Sequence, residues 1–162
     1  MISKMLKYTF IACLFVVALS CEKEEDRVYL VENAVAPELT TIPNLSLQVA
    51  NAADTLTFIA TAVEPGFQAS AKYILEATIS GESFDKPVSV VSANKPDELK
   101  VGVKKFNDAM LRKFPANQPT NVDFRVRAVL VVDAGTGALG SSTNPLEYVS
   151  QVKTANVTLF PK

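Results

Sequence analysis

Apolar and polar residues alternate most regularly in residues 121–130. The apolar positions are Val122, Phe124, Val126, Ala128 and Leu130, and the charged positions between them are Asp123, Arg125 and Arg127. Successive side chains of a strand point to opposite faces of its sheet. The pattern therefore predicts an antiparallel strand with one face on a core and the other face in water.

The same period of two predicts strands elsewhere in the chain. In residues 72–79, Tyr73, Leu75, Ala77 and Ile79 share one face, and residues 55–60 alternate small polar with apolar side chains. Shorter apolar runs predict further strands at 45–49, 87–91, 99–101, 146–150 and 152–159. About seven short strands are expected in all.

One segment has helical spacing instead. Val103, Phe106, Met110, Leu111 and Phe114 fall at offsets 0, 3, 7, 8 and 11, and a proline follows the last of them. This spacing predicts one short helix that crosses between strands. Glycine and proline residues separate the predicted strands, so the fold class is all-β and the expected architecture is a β-sandwich.

The N-terminus has the layout of a secretory signal peptide. Lys4 and Lys7 precede an uncharged run at 8–19, which is shorter than the about 20 apolar residues that a spanning helix needs. The small residues before Cys21 suit cleavage, and a bacterial lipoprotein peptidase requires a cysteine at the first mature position. We predict a signal peptide at 1–20 and lipidation of Cys21. The alternative is a buried thiol or half of a disulfide.

The residues after Cys21 are predicted to be a solvated tether at 21–35. Glu22, Lys23, Glu24, Glu25 and Asp26 are all charged and cannot pack in a core. In some Gram-negative bacteria such a run resembles the export signal that places lipoproteins on the outer face of the outer membrane. Surface display is expected, with periplasmic retention as the alternative, and residues 36–162 are expected to form one sandwich domain.

Composition narrows the chemistry. Of 16 Lys and Arg residues, two lie in the predicted signal peptide, so 14 remain against 17 Asp and Glu, a net charge of −3 that does not attract nucleic acid. The chain contains no His, which excludes Ser-His-Asp and Cys-His catalysis and removes the commonest zinc ligand. We expect no enzymatic activity, no cofactor and no metal.

Several segments together resemble a known family. They are SCEKEEDRVYL at 20–30, APEL at 36–39, YILE at 73–76, VDFRVRA at 122–128 and NPL at 144–146. In this order, with the short helix between YILE and VDFRVRA, they are similar to the N-terminal domain of SusE-type outer-membrane lipoproteins of starch-utilisation systems.

The resemblance implies an immunoglobulin-like or fibronectin-III-like sandwich on a surface lipoprotein that helps to hold glycan for an outer-membrane importer. Two features depart from the family. The chain has no Trp, although the family often carries one in the strand around Phe58. Starch binding in the family belongs chiefly to modules after this domain, and the sequence ends at Lys162. The resemblance therefore implies the location more strongly than starch binding.

Candidate glycan-binding residues lie in the predicted loops. Sugar sites stack aromatic rings on the sugar and use amides to bind its hydroxyls, so the candidates are Phe67, Phe84 and Tyr148 with Asn144 beside the last. The alternative is that these aromatic residues only cover the ends of the sandwich.

The acidic residues offer no catalytic pair. Glu76 and Asp123 fall on predicted solvent faces, and Asp97 and Asp108 fall on a loop and a helix surface. The segment 133–137 (DAGTG) is predicted to be a flexible hairpin tip, because it lacks the Lys of a phosphate-binding loop. Lys104, Lys105, Arg112 and Lys113 flank the apolar stripe of the helix and are expected to be solvated.

The predicted function is a non-enzymatic accessory to the capture and uptake of starch-like polysaccharide at the outer membrane. The expected partners are the membrane, a polysaccharide and a glycan-importer complex. The first rival hypothesis is a spacer, partner-docking or adhesion module that binds no glycan. The second is a small glycan-active enzyme, which would need two convergent acids in a cleft.

Overall fold

The computed structural model describes residues 34–132 and 135–162. The predicted signal peptide, Cys21 and all of the predicted tether except its last two residues lie outside the described residues. Within the described part, no helix is long and apolar enough to cross a membrane.

The described residues form eight strands and one α-helix. Two short 3₁₀ helices, Val49–Asn51 and Pro96–Glu98, lie between strands. The elements in chain order are β1 (Leu39–Thr41), β2 (Thr55–Ala60), β3 (Ala71–Ile79), β4 (Val88–Ala93), β5 (Leu99–Gly102), α1 (Val103–Met110), β6 (Thr120–Leu130), β7 (Leu146–Val149) and β8 (Lys153–Val157).

The strands form two antiparallel sheets. The smaller sheet has the order β1-β2-β5. The larger has the order β4-β3-β6-β7, and β8 also pairs with β6, beside the half of β6 that β7 leaves free. The two sheets enclose a common apolar core, so the predicted all-β sandwich is confirmed.

The core contains the residues that the alternation placed inside. The five alternating apolar positions of β6, from Val122 to Leu130, are fully buried. The sixth apolar residue of this segment, Val129, is half-buried. The ring of Phe58 in β2 lies 6.0 Å, between centroids, from both Phe106 of α1 and Phe124 of β6. These three rings therefore join the two sheets and the helix through one aromatic cluster.

Helix α1 crosses between β5 and β6 as its spacing predicts. Val103, Phe106 and Met110 are buried, and the chain continues through turns to the buried Phe114. The fully buried Asn107 donates to the carbonyl of Phe160 at 2.9 Å and accepts from its N–H at 3.0 Å. The helix is thus fixed both by apolar packing and by a two-way amide contact.

Two strand predictions need correction. Residues 45–49 do not form a strand: Ser46 makes a single parallel bridge to Thr158, and the chain then enters the 3₁₀ helix at Val49–Asn51. Strand β1 was not predicted, because three residues are too few to show an alternation. The other predicted strands are confirmed, with ends shifted by up to two residues.

Candidate functional site

The outer face of the larger sheet carries a buried carboxylate. Glu76 of β3 lies directly opposite Arg125 of β6 and is only 2% exposed. Arg125 Nε donates to Glu76 Oε2 at 2.8 Å, and Arg127 Nε donates to Glu76 Oε1 at 2.8 Å. Each oxygen of this carboxylate therefore has its own guanidinium donor, which is the arrangement that a buried charge requires.

The network extends to the neighbouring strand. Arg127 Nη1 donates to Glu147 Oε1 of β7 at 2.7 Å. Burial acts to lower the pKa of Arg127, but the hydrogen bonds and charges of the two glutamates outweigh it and raise that pKa above its usual value. Two carboxylates and two guanidiniums therefore form a neutral layer, fixed across three strands.

An aromatic ring covers one edge of this layer. The guanidinium carbon of Arg125 lies 4.2 Å from the centroid of the Phe84 ring, a cation–π distance. One face of this candidate sugar-stacking ring is therefore already occupied by Arg125. Phe84 as a whole is half-buried.

Asp123 occupies a second buried position on the same face. It is 9% exposed and accepts hydrogen bonds from the Gly81 N–H at 3.0 Å and from the Thr154 hydroxyl. Burial acts to raise the pKa of Asp123, but these hydrogen bonds hold the pKa below its usual value. The carboxylate ties the β3–β4 turn and β8 to β6.

The expectation that Glu76 and Asp123 are solvated is therefore wrong. Lys113 was also expected in solvent, but its amine donates to Thr78 Oγ1 at 2.8 Å and pairs with Glu82 at 3.0 Å. The alternation of apolar and polar residues correctly placed Glu76 and Asp123 on the outer face of the larger sheet. It did not reveal that they bond to neighbouring side chains there and so become buried. The sequence feature that could have revealed the ion pairs is the opposite charge of Glu76 and the two arginines. That feature becomes informative only when the register between β3 and β6 is known.

The candidate glycan-binding residues do not share one surface. Phe67 precedes β3 and Phe84 follows it, and nine residues of strand span about 30 Å. Tyr148 lies within β7 rather than in a loop, opposite Ala128, and packs against the core. Asn144 is exposed, and its amide donates to the Gly137 carbonyl at 3.5 Å.

The loop that contains Asn144 is stabilised by its own hydrogen bonds. Gly135 and Gly137 both have φ of 78°, a left-handed conformation that favours glycine. The Gly137 N–H donates to Thr143 Oγ1 at 3.2 Å. Asp133 of the predicted hairpin tip lies outside the described residues, so that prediction stands without a test.

The remaining acids do not converge. Asp97 is exposed in the second 3₁₀ helix, and Asp108 on α1 pairs with Lys104 at 2.8 Å. The ammonium of Lys104 donates to the Asp108 carboxylate and lowers its pKa. In the described part of the chain, no group of three or more Cys, Asp or Glu side chains is placed to hold a metal ion.

The surface of the described residues includes two open grooves. The first, of about 510 Å³, lies where β3 begins and β6 ends, and Lys72, Asn94 and Val131 line it. The second, of about 550 Å³, lies between α1 and β4. Both fall within the volume range of small-ligand pockets.

The family model described as SusE outer membrane protein matches residues 23–127, which is more than half of the chain. The protein belongs to the SusE outer membrane protein family. No curated protein and no solved structure matches it. Membership confirms the resemblance found in the sequence and supports an outer-membrane location for this SusE-family protein.

The matched residues include most of the features described above. Glu76 and its two arginine partners lie within the match, as do Phe67 and Phe84. The residues beyond its end are Asn144, Glu147 and Tyr148. The match begins two residues after Cys21, whose lipidation lies outside the described residues and stays a prediction.

Proposed function

We propose that this SusE-family protein is a surface-exposed outer-membrane lipoprotein that assists capture and uptake of starch-like polysaccharide without catalysing a reaction. The observation that carries the proposal is the family match over residues 23–127. Under it, the lipid on Cys21 holds the sandwich at the membrane, and the acidic run at 22–26 directs it to the outer face.

The chemistry of the described residues supports a binding role. Glu76 and Asp123, the most buried carboxylates, are fully engaged in hydrogen bonds within the sheet. A glycosidase needs two carboxyl groups about 5–10 Å apart across a cleft, and one of them must be available to transfer a proton. These two acids are positioned to hold strands together rather than to reach a substrate.

The first groove supplies the kinds of group that bind a neutral sugar. Lys72 and Asn94 offer hydrogen-bond donors and an acceptor, and Val131 offers an exposed apolar surface. Phe67 lies two residues before Ala69, which lines the same groove. We place the proposed sugar contact here, with Phe84, Asn144 and Tyr148 as separate outlying candidates.

A second candidate function is a spacer or partner-docking module beside a glycan importer. The placement of Phe67 and Phe84 at opposite ends of β3 favours it, because an aromatic platform needs its rings on one surface. In that case the anchor and the outer surfaces would carry the function, and the sandwich would bind no glycan of its own.

Affinity electrophoresis of the full-length protein in a non-ionic detergent separates the two candidates. Starch in the gel should retard the wild type, and Phe67→Ala should reduce the retardation by at least a factor of three. Ile59→Ala, on the other sheet and 38% exposed, is the matched control and should migrate as the wild type does. A folded protein that no polysaccharide retards would overturn glycan capture and leave the docking role.

A further inference from the structure

The groove between α1 and β4 is strongly basic. Its volume is about 550 Å³, and its polar lining contains three cations, one carboxylate and one hydroxyl. The lining residues are Ser89, Val90, Gly102, Lys104, Lys105, Asp108, Ala109 and Arg112. No aromatic ring lines it, so the usual stacking platform for a neutral sugar is missing from this groove.

Two of its cations are uncompensated. Lys104 pairs with Asp108 at 2.8 Å. Within residues 34–132 and 135–162, neither Lys105 nor Arg112 forms an ion pair. The groove therefore carries a local excess of two positive charges on a protein whose net charge is negative.

The core holds these charges in place. Lys105 and Asp108 stand at positions i and i+3 of α1, a spacing that places residues on one side of a helix. Arg112 follows in the turn after Met110, where its N–H donates to the Ala109 carbonyl at 3.4 Å. The opposite side is anchored by the buried Phe106 and by Asn107, which bonds the backbone of Phe160 in both directions. The backbone that carries the cations is therefore positioned before any ligand arrives, which lowers the entropic cost of binding.

We propose that this groove binds an anionic glycan, one whose sugar rings carry carboxylate or sulfate groups. Lys105 and Arg112 pair with the anionic groups, and Asp108 and Ser89 bond the sugar hydroxyls. The inference rests on the proposed capture function and adds to it a second class of ligand, an anionic glycan, beside the neutral starch-like polysaccharide.

Two features favour a glycan over the phosphate groups of a membrane surface. The groove is concave, whereas a membrane presents a flat array of headgroups to the protein. The carboxylate of Asp108 accepts hydrogen bonds from hydroxyls, which a sugar chain offers in number.

Calorimetry of the full-length protein in a non-ionic detergent tests the proposal. The ligands are polygalacturonate, chondroitin sulfate and neutral amylopectin, each at low salt and at 0.15 M salt. Polygalacturonate or chondroitin sulfate should bind with an affinity that falls as salt rises. Lys105→Glu combined with Arg112→Glu should weaken that binding at least tenfold.

The matched control is Lys86→Glu combined with Lys100→Glu. Both residues are exposed and lie outside the groove, and the change in net charge is the same. The control should bind as the wild type does, and circular dichroism should show that all variants are folded. An equal loss in the control would overturn the proposal, because the attraction would then be to net charge alone.

The remaining outcomes separate the inference from the function on which it rests. Binding of amylopectin without either anionic glycan would overturn the anionic groove and leave glycan capture intact. A folded protein that binds none of the three would overturn both. Binding to vesicles that contain anionic phospholipid, but to no anionic glycan, would assign the groove to the membrane and overturn the proposal.

Discussion

The two faces of the larger sheet are both covered, but by different chemistry. On the inner face, β6 contributes five fully buried apolar side chains to the core. On the outer face, Glu76, Arg125 and Arg127 cover the sheet with paired charges, and Glu76 is 2% exposed. The comparison shows that a polar face is not necessarily a solvated one, and it predicts different consequences for mutations on each side.

The largest effect is expected on the inner face. Phe124→Ala removes a ring that packs on Phe58 and leaves a cavity where the sheets meet, so we expect a loss of about 3–5 kcal/mol in the free energy of unfolding. Urea denaturation followed by circular dichroism measures it. Val149→Ala, on the outer face and 38% exposed, should cost less than about 1 kcal/mol. Equal losses would mean that the inner face is not the better packed one.

A smaller loss in the free energy of unfolding is expected for a substitution at the centre of the outer face. Glu76→Gln leaves two guanidiniums without their shared charge, and we expect about 2–3 kcal/mol of destabilisation. This is less than for a fully buried pair, because the side chains of Arg125 and Arg127 are 22% and 25% exposed.

Glu147→Gln is the matched control for this substitution. Glu147 pairs with the same Arg127 but is 42% exposed, so its loss should be below about 1 kcal/mol. If both variants lost the same amount in urea denaturation, burial of Glu76 would contribute nothing to the network.

Asp123 should make the outer face sensitive to acid. Its folded pKa lies below its usual value, so its contribution is fully present above the unfolded pKa of about 3.9 and is lost as the pH falls through the folded pKa. Asp123→Asn should cost about 1–2 kcal/mol at pH 7, and the cost should shrink as the pH falls below the unfolded pKa of about 3.9. Denaturation curves at several pH values measure this difference, and a loss independent of pH would contradict the assignment.

The smallest effect concerns the ring at the edge of the network. Phe84→Leu keeps an apolar side chain but removes the stack on Arg125, at an expected cost of about 0.5–1 kcal/mol. Phe84→Tyr keeps the ring face and should match the wild type in thermal unfolding. Similar losses in both variants would show that shape rather than the cation–π contact matters there.

The sequence predicted the inner face better than the outer one. Burial in β6 and α1 follows local periods of 2 and 3.6, so Phe124 and Phe106 could be placed without knowing any partner strand. The contact between Glu76 and Arg125 joins residues 49 positions apart, and it depends on a register that no local pattern specifies. For the same reason the alternation in β6 could not show how its outer face is covered.

The candidate site was predicted only in part. Phe67 and Phe84 were expected near the ends of strands, and both are half-buried there, but their separation depends on the length and direction of β3. Tyr148 was a candidate loop residue because it follows Asn144 and Pro145, although it also falls within the predicted strand 146–150. The structure confirms the strand, and Tyr148 pairs with Ala128 of β6. The basic groove forms because α1 packs beside β4. No local sequence pattern specifies that tertiary contact, so the groove could not be predicted.

The central claim is that a lipid on Cys21 holds this SusE-family sandwich on the outer surface of the cell. The most direct measurement combines fatty-acid labelling of the full-length protein with protease treatment of intact cells, for the wild type and for Cys21→Ser. The account predicts that the wild type incorporates label and is digested in intact cells, and that Cys21→Ser carries no label and escapes digestion. An unlabelled wild type, or a labelled one that the protease cannot reach until the outer membrane is broken, would contradict it.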